Sequence, residues 1–175
     1  MTSKSKGKGN SHERDVAEKL SNWYGSKFLR IPNSGALRWG GAAWVYGDLL
    51  PPEDFPFVME CKHYAEIVFE EVLGTSQSPS GCSRVSEWWF TQAVPDAERA
   101  FKDTGKLVLP LLFWKADYRP IRMSMGAQEF LKLPGASTKL VSVLTSIPHR
   151  APFVTVNLEE FLAVVSPQQM RELVL

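Results

Sequence analysis

Residues 107–115 (LVLPLLFWK) constrain the fold more than any other stretch, because every position except Lys115 is apolar. The run is too short to cross a membrane as a helix, and it has no polar face. Strands that are buried on both faces have this composition, and they occur in sheets that helices cover on both sides. The run therefore predicts a strand that is buried on both faces.

The neighbouring segments fit the same layered pattern. Residues 10–24 and 84–104 show helical spacing, and Pro95 predicts a kink or two abutting helices in the second. Residues 57–64 (FVMECKHY) alternate strictly, as in a strand. Further strands are predicted at 27–32, 42–50, 119–125 and 152–157, together with a short helix at 128–133 and a C-terminal helix or helix pair over 158–175. This order indicates a mixed α/β or α+β sheet with helices packed against it.

Length and composition limit the class of protein. A chain of 175 residues with 44% apolar content matches one ordinary domain. We expect a flexible basic arm over 1–10 and a single domain with a C-terminal extension over 11–175. The N-terminus has no apolar stretch typical of a secretory signal, and no apolar run reaches membrane-spanning length. We therefore expect a cytoplasmic protein, or one in the host cytoplasm if the chain is viral, without a membrane partner.

Charge is distributed unevenly along the chain. Residues 1–38 carry eight basic and three acidic side chains, although the net charge of the whole chain is only +1. Lys4, Lys6 and Lys8 lie in the Gly-spaced beginning of this segment. A local basic patch is sufficient to contact a polyanion, and a solubilising tail has the same composition. Both interpretations stay open at this point.

Glu60 and Lys62 lie two residues apart on the predicted third strand, so they share one of its faces. Asp48 comes from the neighbouring predicted strand. Asp48, Glu60 and the backbone carbonyl of Cys61 are oxygen ligands of the kind that Mg²⁺ prefers, and Lys62 would position or deprotonate a water. An alternating charged pair on a solvent-facing edge strand would have the same sequence. Apolar residues around Asp48 and beside Glu60 favour buried groups that have a partner or a chemical task.

Glu13 lies on the apolar stripe of the first predicted helix, together with Val16, Ala17 and Leu20. An acid that faces the core needs an explanation. One is a capping box, in which Glu13 reaches back to Asn10 at the beginning of the helix. The other is a role in a functional site.

Four segments resemble, in this order, the PD-(D/E)XK nuclease superfamily: KGKGNSHERDVAEKL (6–20), RIPNSGALRWGG (30–41), GDLL (47–50) and FVMECKHY (57–64). Within it they are most similar to the archaeal-type Holliday junction resolvases, which also occur in phages. The resemblance implies an α/β, restriction-endonuclease-like fold with a central mixed sheet flanked by helices. It also implies that Glu13, Asp48 and Glu60 are the metal-site acids, that Lys62 is the catalytic lysine, and that Ser34 acts near the scissile phosphate. Gly47 stands where the superfamily signature has proline.

The same resemblance extends to partners. It implies a Mg²⁺-dependent endonuclease, with Mn²⁺ as a substitute, that resolves four-way junctions by paired symmetric nicks as a homodimer. Gln92 falls on the helix after the E-x-K strand and is a site-adjacent candidate. The alternatives are another PD-(D/E)XK nuclease acting on duplex or flapped DNA, a noncatalytic nucleic-acid-binding module, and a tail that binds RNA or acidic protein. The candidate DNA contacts are Lys4, Lys6, Lys8, Arg30 and Arg38.

Overall fold

The computed structural model of the chain describes residues 3–31, 46–67 and 83–174. In this part of the chain, a seven-stranded mixed sheet carries helices on both faces, which confirms the predicted α/β architecture. The elements are α1 (Ser3–Tyr24), β1 (Leu29–Arg30), β2 (Leu49–Leu50), β3 (Phe57–Tyr64), α2 (Arg84–Trp88), a π-helical turn (Trp89–Ala93), α3 (Val94–Thr104), β4 (Leu109–Ala116), β5 (Arg122–Gly126), α4 (Ala127–Lys132), α5 (Ala136–Lys139), β6 (Ser142–Thr145), β7 (Phe153–Asn157), α6 (Leu158–Val164), α7 (Pro167–Arg171) and a 3₁₀ turn (Glu172–Val174).

The strands are ordered β1-β2-β3-β4-β5-β7-β6. Strands β3 and β4 are parallel along their whole length, from Phe57 opposite Leu109 to Tyr64 opposite Ala116, and the other neighbours are antiparallel. The apolar run that predicted a strand buried on both faces is β4, at the middle of this sheet. Its four residues from Leu111 to Trp114 are at most 5% exposed, as expected for a strand covered on both faces.

Two apolar layers cover the sheet. On one face, Leu111 and Phe113 join the larger core with Val16 and Leu20 of α1 and with the C-terminal helices. On the other face, Leu112 and Trp114 pack with Trp88 and Trp89, and Val58 packs with α3. Because the side chains of β4 alternate between the two faces of the sheet, this strand contributes to both apolar layers. Helix α1 lies on the opposite face of the sheet from the α2–α3 helix.

The predicted interruption at Pro95 has a specific form. A π-helical turn, Trp89–Ala93, joins α2 to α3 without a break, and Pro95 lies in the first turn of α3. Proline has no N–H and crowds the carbonyl four residues before it, which here is that of Thr91. A wider turn directly before proline accommodates both effects within one helix.

Two predictions about the N-terminal region are wrong. Helix α1 begins at Ser3 instead of residue 10, so residues 3–9 are helical. Contacts of the first turns with the sheet account for this: Lys8 Nζ contacts Asp117, and the ring of His63 lies 3.2 Å from the Lys8 carbonyl oxygen. Asn10 is consequently inside the helix, and the capping box with Glu13 does not form.

Several strands differ from their predicted bounds. Strand β1 covers only Leu29–Arg30, and β2 only Leu49–Leu50 in the described part of 42–50. Helix α5 and edge strand β6 were not predicted at all, because residues 136–145 have neither apolar period. No helix in the described ranges combines the length and apolarity needed to cross a bilayer.

Candidate functional site

Asp48 lies where three strands meet. Its backbone N–H donates to the Met59 carbonyl at 2.7 Å, and its own carbonyl accepts from the Ile31 N–H at 2.9 Å. Its carboxylate Oδ2 accepts from the Cys61 N–H at 2.8 Å, and the residue is only 8% exposed. Backbone bonds to both neighbouring strands thus fix this acid on the edge of β3 independently of side-chain packing.

Gly47, the residue before Asp48, explains the departure from the proline of the signature. Its φ is +76°, in the left-handed region, and an added Cβ would overlap the Met59 carbonyl. Proline is fixed near φ −65° and has a Cβ, so it fits neither requirement. Only glycine allows the chain to pass this close to β3 and still present Asp48 to Cys61.

Glu60 and Lys62 are buried or nearly so, which makes the surface-pair interpretation of the E-x-K sequence wrong. Glu60 is 7% exposed, and Lys62 Nζ contacts its Oε1. Burial, followed by the charge of Asp48, raises the pKa of Glu60 to about 7. For Lys62, burial lowers the pKa but the charges of Glu60 and Asp48 outweigh it, so that the pKa is raised overall.

Glu13 reaches the same site from α1. Arg30 of β1 contacts two residues of this helix. Its Nε contacts Glu13 Oε2, and its Nη2 donates to Asn10 Oδ1 at 2.7 Å. The pKa of Glu13 is raised, chiefly by burial and also by the charge of Asp48, although the hydrogen bond from Arg30 lowers it. Arg30, expected to contact phosphate, is thus also a partner of an acid.

The charges of this cluster act on one another. Glu13, Asp48 and Glu60 bring three carboxylates together, and Arg30 and Lys62 bring two cations. When all three carboxylates are ionised, these five side chains carry one more negative than positive charge. The Cys61 thiol is buried on the opposite face of β3, in the core with Phe113, and its pKa is raised well above the usual value by burial and by the charge of Asp48. A buried, negatively biased group of oxygen ligands is a place where added positive charge is stabilising.

Other predicted residues are placed less completely. Ser34 and Arg38 lie outside the described residues. Lys4 and Lys6 belong to the first turns of α1. Lys8 contacts Asp117. Gln92 lies on the half-exposed side of the π turn, which packs against β3 and β4, but within the described chain it makes no hydrogen bond to the acids.

Residues near the site were also missed. Asn10 shares a helix face with Glu13, and this three-residue spacing was interpreted only as a cap. His12 is 2% exposed; its Nε2 lies 3.3 Å from the Phe113 carbonyl oxygen, and its Nδ1 has no hydrogen-bond partner among the described groups. Burial lowers the pKa of His12 to about 4, so the ring is neutral at neutral pH. A single histidine in a helical pattern does not indicate in the sequence that its ring is buried and neutral.

The PD-(D/E)XK nucleases that the sequence resembles generally use divalent metals, so the donor groups of this site should suit such an ion. Within residues 3–31, 46–67 and 83–174, no three acid, imidazole or thiol side chains are arranged to hold a metal as they stand. Lys62 and Arg30 instead contact the carboxylates of Glu60 and Glu13. The donor chemistry nevertheless fits, because carboxylate and carbonyl oxygens are hard ligands that suit Mg²⁺ or Mn²⁺.

Comparison with known proteins gives one family. Residues 4–172 match the family described as "Phage putative PDDEXK endonuclease". No curated protein and no solved structure gave a match. The mixed sheet flanked by helices is consistent with the restriction-endonuclease-like fold of such nucleases. Because the match covers nearly the whole chain, the protein belongs to the phage putative PDDEXK endonuclease family.

Proposed function

We propose that the protein is a Mg²⁺-dependent DNA endonuclease whose substrate is a four-way junction. The observation that carries the nuclease part is that Asp48, Glu60 and Lys62 meet at one strand: Asp48 Oδ2 accepts from the Cys61 N–H at 2.8 Å, and Lys62 Nζ contacts Glu60 Oε1. The two acids are 8% and 7% exposed, so the three groups form one largely buried site. Two acids and a lysine so placed are the groups that phosphodiester hydrolysis needs.

The residues would divide the work as follows. Asp48, Glu60 and the Cys61 carbonyl would hold the divalent cation, with Glu13 as a further acid. The bound cation would supply a water of lowered pKa and would offset charge on the phosphate. Lys62 has a raised pKa and is therefore an ammonium at neutral pH. It acts as a hydrogen-bond donor that orients the water and offsets developing charge, which excludes a role as proton acceptor in this state.

Helix α1 supports DNA as the polyanion. The same helix carries Glu13 and the three lysines Lys4, Lys6 and Lys8. At 1.5 Å per residue, the distance from Lys4 to Glu13 is about 14 Å along the axis. Lys6 precedes Glu13 by seven residues, which is nearly two full turns, so the two lie on the same side of the helix and Lys6 is the lysine best placed to guide a polyanion to the acids. Ser34 and Arg38, from the segment between β1 and β2, are further proposed contacts with the phosphate backbone.

The junction as substrate rests on the likeness of residues 6–64 to junction resolvases. Resolution needs two nicks at symmetric positions, so we propose a twofold homodimer with one site in each protomer. Selectivity would come from the shape of the DNA and the position of its backbone, since phosphate contacts carry no base sequence.

A cleavage assay tests both levels of the proposal. A four-way junction, a flapped duplex and a linear duplex of shared sequence are each incubated with Mg²⁺ or with EDTA. The proteins are the wild type, Glu60→Gln and Lys62→Met, with Glu18→Gln and Lys132→Met as controls, since both control residues are exposed and lie outside the site. We expect paired, symmetric nicks in the junction only, abolished by EDTA and by the two site variants.

Other outcomes have definite meanings. If duplex or flapped DNA is cut as fast as the junction, the protein is a nuclease but is not selective for junctions. Equal activity of Glu60→Gln and wild type would refute the site. Metal-independent binding with no cleavage of any of the three substrates would identify a noncatalytic binding module.

A further inference from the structure

The turn between β4 and β5 carries an unusual residue at its tip. Tyr118 has a φ of +59° and a relative exposure of 103%, so its side chain is completely open to solvent. The left-handed region strongly favours glycine, asparagine or aspartate, and a bulky residue there is rare because its Cβ crowds the backbone. Neither packing nor backbone preference therefore explains a tyrosine at this position.

The turn beneath Tyr118 is firmly held. Asp117 contacts Lys8 Nζ of α1, and its Oδ1 lies 2.8 Å from Nε2 of His63. The backbone N–H of Asp117 donates to the Tyr64 carbonyl at 3.0 Å. Contacts with α1 and β3 thus fix the residue directly before Tyr118. An aromatic ring presented by a fixed backbone loses little conformational freedom when it binds a partner.

The position of the turn relates it to the proposed active site. Strands β3 and β4 are parallel, with Tyr64 opposite Ala116, so the turn begins where β3 ends. Tyr64 follows Lys62 by two residues, which is about 7 Å along a strand. The first turns of α1 lie at the same end, through the contact of Lys8 with Asp117. Tyr118 therefore projects from the end of the sheet at which Lys62 lies.

Charges around Tyr118 fit an anionic partner. Arg119 follows it and is exposed, Lys115 precedes the turn, and Lys8 offsets the charge of Asp117. An exposed aromatic ring on a turn that basic residues flank in the sequence can bind nucleic-acid bases by stacking, while the basic residues attract the phosphates. A ring can stack only on a base whose face is uncovered, and bases inside a duplex are covered by their neighbours.

We propose that Tyr118 stacks on an unpaired or unstacked base of the bound DNA, at the branch point beside the cleaved phosphate. The inference rests on the proposed function in one respect, namely that DNA occupies the site. It adds the structural feature of the substrate that the protein recognises, which is an exposed base face. Arg119 and Lys115 contact the phosphates on either side of that base.

The experiment compares binding, in EDTA, of a four-way junction and of a linear duplex by fluorescence anisotropy. The proteins are the wild type, Tyr118→Phe, Tyr118→Ala and Tyr118→Gly. His149→Gly is the matched control, because His149 also has a positive φ, +63°, and is exposed. It lies in the turn before β7, at the opposite end of the sheet, where Phe153 pairs with Gly126. Urea unfolding of each variant is measured in parallel.

We expect Tyr118→Ala and Tyr118→Gly to bind the junction about 5- to 100-fold more weakly, the range found when stacking aromatics are removed. Tyr118→Phe keeps the wild-type affinity, and all four proteins bind duplex equally. Because glycine relieves the left-handed backbone and no packing is lost, Tyr118→Gly unfolds at a urea concentration no lower than that of wild type. A residue with a purely structural role would not lose binding while keeping stability. His149→Gly leaves junction binding unchanged.

A 2-aminopurine base at the branch point gives a second signal. Its fluorescence changes on addition of the wild type and of Tyr118→Phe, but not of Tyr118→Ala. If Tyr118→Ala binds the junction as tightly as wild type does, the stacking role is refuted. The cleavage assay separates the two levels: active wild type with unaltered Tyr118→Ala binding overturns this inference alone, whereas absence of any cleavage overturns the proposed function.

Discussion

Replacing Glu60 with glutamine should stabilise the metal-free protein, and increasingly so as the pH rises. Glu60 is 7% exposed, and its pKa in the folded protein is about 7, against an ordinary value of 4.5. Burial and the charge of Asp48 disfavour the ionised carboxylate more than Lys62 favours it. Glutamine has nearly the same shape and remains neutral at every pH, so it removes the unfavourable charge.

The sign and size follow from proton linkage. Between pH 4.5 and about 7 the folded protein holds the Glu60 proton more tightly than the unfolded chain does, so the wild-type free energy of unfolding falls as the pH rises. A shift of this size, at about 1.4 kcal/mol per pKa unit, corresponds to about 3 kcal/mol. The difference between Glu60→Gln and wild type should therefore grow by about 3 kcal/mol from pH 4 to pH 8, and change little above that.

Urea unfolding followed by circular dichroism, at pH 4, 5, 6, 7 and 8 in EDTA, measures this difference. The slope with pH is the decisive quantity, because any hydrogen bond that glutamine gains or loses adds a constant offset. Glu18→Gln, on the exposed side of α1, should show no such slope. A flat difference for Glu60→Gln, or one that decreases with pH, would refute the electrostatic description of the site.

Three further predictions concern the same site. Mg²⁺ at about 100 times its dissociation constant should stabilise the wild type at pH 8 by about 3 kcal/mol, which is measured as a shift in Tm. The shift for Asp48→Asn should be much smaller, and an equal shift would exclude Asp48 as a ligand. Gly47→Ala should lower the free energy of unfolding by about 2 kcal/mol or more, because a positive φ and the Met59 carbonyl both oppose a Cβ. Urea titration measures this change, and a decrease below about 0.5 kcal/mol would contradict the prediction. Lys62→Met should reduce kcat at least about 100-fold with Lys132→Met unaffected, and a variant that retains activity would remove Lys62 from the mechanism.

Sequence periodicity predicted the centre of the fold well and its edges poorly. Strand β3 matches the predicted residues 57–64, and β4 differs from its predicted bounds by two residues at the start and one at the end, because both have a pattern set by burial. Strand β6 has exposed, mixed residues such as Leu144, which is 61% exposed, so it carries no pattern to detect. Helix formation over residues 3–9 depends on contacts with Asp117 and His63, far along the chain.

The candidate site shows the same division. Spacing on one strand and the order of motifs were enough to single out Glu60, Lys62 and Asp48. The pairing of Arg30 with Glu13 was not predictable, because it depends on how β1 lies against α1. The sequence also could not show that Gly47 has a positive φ, so it gave no reason why glycine replaces the proline of the signature at this position.

The location of the site explains how the fold can carry its unfavourable charges. Stability comes from the two apolar layers on either side of β4, whereas the three acids lie on α1, directly before β2 and on β3, where backbone bonds hold Asp48. Those bonds keep Asp48 near Glu60 although the two carboxylates repel each other and raise the pKa of Glu60. Lys62 contacts Glu60 and Arg30 contacts Glu13, and both contacts offset part of this repulsion. Burial disfavours the ionised form of Glu60, and the proposed role as a metal ligand requires that form, so this role predicts an affinity for a divalent ion that increases as the pH rises through about 7.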